Sequence, residues 1–251
     1  MGISSESRTG QVGRPLRIGI NCSVDLTGRA AAKIYLEYVD FVADAGGVPV
    51  LLPPVASALQ LASECDGFLL IGGDDYRLSC GPTEPPGFLA MAPRREEFDL
   101  ELGRRVLTAR KPTLGVCAGF QLLALLEGGE LYGDLATELP SDILHRVESN
   151  GTDGASAPPL MHGLHWHACA ASPEVATGRY LVNSCHHQGI KRLPASWRSF
   201  ATTDDELIEG AVGPGPFLVG VQWHPEREPT SVLSVALMKS LLAAARQALP
   251  R

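Results

Sequence analysis

The first half of the chain alternates between short apolar runs and longer segments in which apolar side chains recur at helical spacing. The apolar runs predict strands at 16–22, 48–53, 67–71 and 112–116. The segments between them predict helices at 30–45, from 54 through Leu61, at 94–110 and at 118–129. Because the runs lack polar alternation and are separated by helices, they predict parallel strands covered on both faces. The expected fold class is α/β, a three-layer αβα sandwich with a mostly parallel, flavodoxin-like central sheet.

The second half of the chain lacks this regular alternation of strand and helix patterns. Its composition predicts a loop at 149–159, where Gly, Ser, Ala and Pro accumulate. Shorter strand-like runs follow at 179–184, 197–203, 206–212 and 217–223, and a Leu- and Ala-rich helix closes the sequence at about 230–248. No internal repeat or linker interrupts this order, so we expect a flexible leader at 1–15 and a single domain at 16–251.

Composition and charge narrow the class of protein. Hydrophobic residues make up 45% and charged residues 20%, which is ordinary for a globular protein. A net charge of −7 without a basic run argues against a nucleic-acid or anionic-membrane partner. No apolar run approaches the roughly 18 residues of a membrane span, and the leader lacks the apolar core of a signal peptide. A cytoplasmic location is therefore expected. Without a secretory signal, and in a chain large enough to hold a core unaided, the six cysteines are not expected to form disulfides. They include no C-x-x-C pair, so a thiolate zinc site is not expected either.

One of these cysteines, Cys117, lies where a strand signal gives way to a helix signal. The surrounding GVCAG at 115–119 is the cysteine counterpart of the G-x-S-x-G nucleophile elbow. Its small neighbours let a sharp turn close, and the helix that follows presents unpaired N–H groups. These groups favour a thiolate and offer a donor, the N–H of Ala118, to an oxyanion beside the sulfur. A buried structural cysteine is the alternative interpretation, and the chemistry needs a base to be convincing.

A candidate base lies about a hundred residues further on, in the motif His224-Pro225-Glu226. Pro225 biases the preceding residue toward extended geometry, and in an extended segment side chains two apart leave by the same face. We therefore expect His224 and Glu226 to emerge together, so that the carboxylate orients the imidazole. The alternative is an exposed turn that follows a buried strand.

Together these motifs resemble a known family. GVCAGFQLL at 115–123 and GVQWHPE at 220–226 look like the class I glutamine amidotransferases, and within them the γ-glutamyl-γ-aminobutyrate hydrolase branch, peptidase family C26. LLIGGDD at 69–75, PRREEFD at 93–99 and VNSCHHQGI at 182–190 resemble further segments of that branch. The resemblance covers approximately residues 16–245.

The resemblance implies roles for individual residues. Cys117, His224 and Glu226 match the catalytic triad, and the N–H groups of Gly73 and Ala118 match the oxyanion donors. The matched substrate-binding positions are Gln121, Ser184 and His186. The chain departs from the branch at Ala118, where an arginine is usual, and in the turn at 74–81. Both departures concern the choice of substrate more than the triad.

The implied reaction is hydrolysis of a γ-glutamyl amide through a thioester, releasing glutamate and an amine. It requires no metal or organic cofactor, and its partner is the small-molecule γ-glutamyl substrate. A metal site at His165 and His167, which share a strand face, is not expected because no carboxylate or cysteine pattern accompanies them. Two alternatives stay open: a glutaminase that delivers ammonia to a separate synthetase, and a non-catalytic ligand-binding protein on the same fold. The leaving amine and the oligomeric state, a homodimer included, are also open.

Overall fold

A computed structural model describes residues 14–81, 83–146, 160–169 and 172–249. The loop expected at 149–159 and most of the leader at 1–15 lie outside these ranges. The strands are β1 (Arg17–Asn21), β2 (Ser23–Asp25), β3 (Ala31–Lys33), β4 (Val48–Leu52), β5 (Gly67–Leu70), β6 (Thr113–Val116), β7 (Glu130–Tyr132), β8 (Leu160–Trp166), β9 (Gly178–Ser184), β10 (Gly189–Arg192), β11 (Arg198–Thr202), β12 (Ile208–Val212) and β13 (Leu218–Val221). The helices are α1 (Leu36–Asp44), α2 (Ala58–Ser63), α3 (Pro93–Thr108), α4 (Ala118–Leu126), α5 (Leu135–Glu138) and α6 (Val232–Gln247).

The main sheet has a parallel centre and an antiparallel extension. Its order is β4-β1-β5-β6-β13-β12-β11-β8-β9, and β10 joins it by pairing with β12 and β7. The pairs from β4 to β13 are parallel, and those from β13 to β9 are antiparallel. Parallel strands share one carboxyl edge, where open α/β sheets bind their ligands. β6 and β13 are neighbours, so the residues that follow them, Cys117 and His224, come to the same edge.

Helices cover both faces of the parallel centre. One core contains α1 and α6, with Phe41 and Leu237 packed among strand residues such as Ile18 and Ile20. The other contains α2, α3 and α4, with Phe98 and Phe120 among its buried members. Neighbouring residues of one strand enter opposite cores, which explains why the central strands are apolar throughout. The expected three-layer α/β fold is confirmed.

One expected element is wrong in part. The pattern at 30–45 predicts a continuous helix, but Ala31–Lys33 forms β3, which pairs with β2 in a separate two-stranded sheet. Helix α1 begins only at Leu36, after Tyr35. The Ala-rich stretch has good helix propensity, but its side chains at 31–33 are exposed and add no buried face. Among the described helices, none combines the length and apolarity needed to cross a membrane.

Candidate active site

Cys117 occupies a strained turn between β6 and α4. Its φ of 51° and ψ of −112° lie in a region that residues other than glycine rarely adopt. Such a conformation costs about 1–3 kcal/mol and persists only where surrounding structure imposes it. The backbone N–H of Cys117 donates to the carbonyl of Val221 at 2.8 Å, and its carbonyl accepts from Gln121 at 3.1 Å. The turn is therefore fixed on both sides, by β13 and by the first turn of α4.

The two glycines of the motif allow this turn to close. A Cβ on Gly115 would lie 2.8 Å from the carbonyl carbon and oxygen of Gly119. A Cβ on Gly119 would overlap the backbone carbonyl of Leu70 on the neighbouring strand. Both obstacles are backbone atoms, which cannot rotate away. The spacing of small residues around the cysteine thus has a steric reason, as the sequence predicted.

His224 and Glu226 form a buried pair. Nδ1 of His224 lies 2.7 Å from Oε1 of Glu226, and both side chains are almost fully buried. The expected strand geometry is wrong, because His224 follows the end of β13 and Glu226 lies in a 3-10 turn at Pro225–Arg227. The turn, rather than strand alternation, brings the two side chains together. Since a carboxylate accepts, the Nδ1 proton is the donor and Nε2 is left as the basic nitrogen.

Gly72 shows that this pair and the cysteine border the same small space. A Cβ built on Gly72 would lie 2.8 Å from Cε1 of His224 and 3.4 Å from Cβ of Cys117. Only a residue without a side chain leaves room for the imidazole and the thiol to approach each other here. The structure therefore brings all three predicted triad residues to one point at the carboxyl edge of the sheet.

The surroundings of the Cys117 sulfur favour the protonated thiol. Burial raises the pKa of Cys117 to about 12, and the backbone N–H of Ala118, which lowers it, offsets only part of that effect. The carboxylate of Glu226 raises the pKa further. The expectation that the helix N-terminus favours a thiolate is therefore wrong for the net effect, because desolvation of a fully buried sulfur outweighs one amide. A nucleophilic sulfur in this site needs a base at the moment of attack.

The glycine turn after β5 rests on a buried arginine. Arg95 donates from Nη2 to the carbonyl of Gly72 at 2.8 Å and from Nη1 to Ser23 Oγ at 2.6 Å, and its Nε pairs with Asp99 at 3.1 Å. A Cβ on Gly73 would overlap this guanidinium. Since three acceptors hold Arg95 in place, it cannot move aside cheaply. The backbone of Gly73 is thereby held in position by the packing beneath it.

Three further residues contact the site without having a role assigned from the sequence, although Gln222 and Asn183 lie inside the quoted motifs. The hydroxyl of Tyr38, on α1, accepts from the N–H of Gly72 at 3.1 Å and lies 3.2 Å from Nδ1 of His224. Nε2 of Gln222 donates to Cys117 Sγ at 3.5 Å. The side chain of Asn183 binds both backbone polar groups of His224, accepting from its N–H at 3.0 Å and donating to its carbonyl at 2.9 Å.

The predicted substrate-binding residues are all buried and bonded internally. Nε2 of Gln121 donates to the carbonyl of Gln188 and to Oε1 of Gln222, both at 3.2 Å. The hydroxyl of Ser184 donates to the carbonyl of His145 at 2.7 Å. His186 faces a cluster of other histidines, described below. Substrate contact by these three residues stays a prediction. His165, considered above for metal, is hydrogen-bonded to Asp204 on the surface.

The sheet with its cysteine elbow has the architecture of the class I glutamine amidotransferases. A glutamine amidotransferase from Thermotoga maritima shares the fold with a TM-score of 0.57 at 15% identity, over 93% of this chain and 97% of that one. Residues 18–226 match the family model of peptidase C26. The chain therefore belongs to the peptidase C26 family.

Two relatives illustrate the similarity in sequence. The γ-glutamyl-γ-aminobutyrate hydrolase of Escherichia coli O157:H7 is 30% identical over 222 residues, which cover 82% of this chain and 84% of that protein. Protein NtpR of Enterococcus hirae is 32% identical over 194 residues, covering 75% of this chain and 79% of that protein.

Proposed function

We propose that this protein hydrolyses a γ-glutamyl amide through a thioester on Cys117, releasing glutamate and an amine. The observation that carries the proposal is the meeting of the strained Cys117 with the buried His224–Glu226 pair across Gly72. The similarity to a γ-glutamyl-γ-aminobutyrate hydrolase supports the choice of bond and acyl group. The identity of the leaving amine is left to experiment.

In the acylation step, the thiol of Cys117 gives its proton to Nε2 of His224. Because burial holds the pKa of Cys117 well above neutrality, transfer and attack on the γ-carbonyl are expected to occur together. Glu226 accepts the Nδ1–H bond and stabilises the imidazolium that forms. The imidazolium then protonates the amine nitrogen as the carbon–nitrogen bond breaks. The products of this half-reaction are a γ-glutamyl thioester and a free amine.

Deacylation reverses the roles with water in place of the amine. His224 takes a proton from water, the hydroxyl adds to the thioester carbonyl, and the carbon–sulfur bond breaks. The sulfur regains its proton from the imidazolium and glutamate departs. Each atom and proton is accounted for, so no redox partner or activated co-substrate is required.

The oxyanion of both steps is assigned to two backbone donors, Ala118 and Gly73. The N–H of Ala118 adjoins the sulfur at the start of α4. The N–H of Gly72 is bonded to Tyr38, and the next amide, that of Gly73, is the second donor that the family resemblance implies. Preorganised donors of this kind contribute about 10²–10³ in rate each.

A panel of γ-glutamyl amides tests the proposal. It contains γ-glutamyl-γ-aminobutyrate, a γ-glutamyl polyamine, a γ-glutamyl dipeptide and glutamine, each assayed for free glutamate. We expect at least one γ-glutamyl amine to be cleaved with kcat/KM well above that for glutamine. Cleavage of glutamine alone would favour the ammonia-delivering glutaminase. A folded protein that releases glutamate from none of them would contradict the proposal and favour a binding role.

The substitution Gly73→Ala tests the second oxyanion donor. The new methyl group would displace the turn from Arg95 and misplace its amide, so kcat should fall about 10²–10³-fold on the best substrate of the panel. Gly28→Ala is the control for the substitution itself, since a Cβ there meets nothing within 4 Å. An unchanged kcat in folded Gly73→Ala protein would remove Gly73 from the oxyanion site.

A further inference from the structure

A second cluster of buried polar side chains lies beside the candidate active site. It contains His145, His162 of β8, His186 in the turn after β9, and Glu209 of β12. Each offers one ligand atom, and these atoms all lie within 4.8 Å of one another. The rings pack closely, with the centroid of His145 5.0 Å from that of His162 and 5.1 Å from that of His186.

In each imidazole ring, the nitrogen that points away from the cluster already acts as a hydrogen-bond donor. Nδ1 of His186 lies 2.9 Å from the carbonyl of Gln188, and Nδ1 of His162 lies 3.3 Å from the carbonyl of Gly163. A carbonyl can only accept, so in both rings Nδ1 carries the proton and Nε2 holds a lone pair in the neutral imidazole.

His145 follows the same pattern with a carboxylate. Its Nε2 lies 3.1 Å from Oδ2 of Asp205, and its Nδ1 faces the cluster. Histidines that bind metals characteristically give their other N–H to a carboxylate or a backbone carbonyl, and all three rings show this arrangement.

The inner atoms of the cluster are acceptors that face one another without a donor. Nδ1 of His145, Nε2 of His162, Nε2 of His186 and both oxygens of Glu209 are buried and have no hydrogen-bond partner among the described residues. Oε1 of Glu209 lies 3.2 Å from the nitrogen of His186, 3.8 Å from that of His145 and 3.9 Å from that of His162. Buried lone pairs in this arrangement need a positive centre between them.

A single proton would provide the positive charge for only some of these acceptors. An imidazolium at His186 would satisfy its own contact to Glu209 and leave the nitrogens of His145 and His162 unpartnered. A divalent cation would satisfy all four groups at once. In a tetrahedral zinc site with bonds of about 2.0–2.1 Å, neighbouring ligand atoms lie about 3.3 Å apart. The nitrogen of His186 already lies 3.2 Å from Oε1 of Glu209, whereas those of His145 and His162, at 3.8 and 3.9 Å, would move inward when an ion binds.

We propose that His145, His162, His186 and Glu209 bind a divalent transition-metal ion, zinc by preference, in a structural site. Three neutral imidazoles and one carboxylate suit zinc better than calcium or magnesium, which prefer oxygen ligands. Four protein ligands close a tetrahedral shell, so the site has no open position for water or substrate. The ion would act by cross-linking segments that are distant in sequence.

The cross-link would support the catalytic histidine. The N–H of His186 and the hydroxyl of Ser184 both donate to the carbonyl of His145, so the proposed ligands His145 and His186 also share a backbone contact. Asn183, in the same segment, brackets the backbone of His224. From the other side, the carbonyl of Glu209 accepts from the N–H of Gln222 at 2.7 Å. Loss of the ion is expected to loosen both supports of His224.

The test uses the full chain without a histidine tag, purified from zinc-supplemented medium. Elemental analysis should find about one zinc per chain, and X-ray absorption at the zinc edge should show nitrogen and oxygen ligands without sulfur. Chelator-treated protein titrated with zinc should recover the same stoichiometry, and its Tm should rise by roughly 5–15 °C at saturating metal. These measurements on the unaltered protein do not depend on any variant folding, and they do not depend on the proposed hydrolase activity.

Variants then assign the site. His162→Gln and Glu209→Gln should each bind less than a tenth of an equivalent and lose the zinc-dependent rise in Tm. His165→Gln is the matched control, because His165 lies on the same strand but is only partly buried and is bonded to Asp204, and it should keep full zinc. Failure of the unaltered chain to take up zinc would overturn the proposal and leave a buried His–Glu ion pair. Full zinc in both cluster variants, or sulfur in the absorption spectrum, would place the metal elsewhere and overturn it equally.

Discussion

Replacing Cys117 with serine is expected to lower kcat/KM on the best γ-glutamyl substrate by at least about 10⁴-fold, a loss typical of a removed nucleophile. The serine hydroxyl is a much weaker nucleophile than sulfur, and it would sit in the same desolvated position that already holds the pKa of the thiol near 12. The change removes no large apolar group, so the protein should stay folded. Initial rates of glutamate release with excess enzyme measure the loss.

Cys65→Ser is the matched control for this substitution. Cys65 is also buried, and burial raises the pKa of its thiol to about 11. It precedes β5, at the sheet edge opposite the candidate site, and donates to the carbonyl of Leu61. A serine there can keep that bond, so activity should change less than about threefold. Comparable activity in the two variants would contradict the assignment of Cys117 as the nucleophile.

The second large effect is expected from Glu226→Gln. The carboxylate accepts the Nδ1 proton of His224 at 2.7 Å and stabilises the imidazolium. A glutamine can present its NH₂ group instead, which favours the tautomer with the proton on Nε2 and leaves no base toward the sulfur. An equivalent change in a Ser-His-Asp triad lowers kcat by about 10⁴, and we expect a fall of about 10³–10⁴ in kcat with KM nearly unchanged.

Glu228→Gln is the control for the loss of negative charge near His224. Oε2 of Glu228 accepts from Nδ2 of Asn183 at 2.9 Å, and a glutamine oxygen can accept the same bond. Its kcat should therefore stay within about tenfold of the unaltered protein. Equal losses in Glu226→Gln and Glu228→Gln would show that general electrostatics, rather than orientation of the imidazole, explains the effect.

The parallel centre of the fold could be predicted because its signals are local. Apolar runs such as 67–71 are buried on both faces and are separated by segments of helical periodicity. This alternation indicates the fold class and the order of strands and helices along the chain. The turn at Cys117 was also predictable, because small residues at 115 and 119 are required by contacts with adjacent backbone. The start of α1 was not, because the solvent-exposed strand at 31–33 leaves no apolar pattern.

Other parts of the site depend on packing that a single sequence does not display. Tyr38 reaches the imidazole from a helix 186 positions away along the chain, and no motif marks it. The pKa of Cys117 depends on how completely the folded protein excludes water from the sulfur. The ligands of the proposed zinc site are scattered over 145–209, with none of the short spacings that indicate a metal site. Only the pairing of distant strands brings them together.

The most direct test of the account is the mass of the protein during turnover. Acid quenching of the steady state with a good γ-glutamyl amide should reveal a fraction of the chain heavier by one γ-glutamyl group. Peptide mapping should place that group on the sulfur of Cys117, and Cys65→Ser protein should be labelled equally. Two results would contradict the account. One is an acyl group on a residue other than Cys117 in unaltered protein that releases glutamate. The other is full activity in Cys117→Ser.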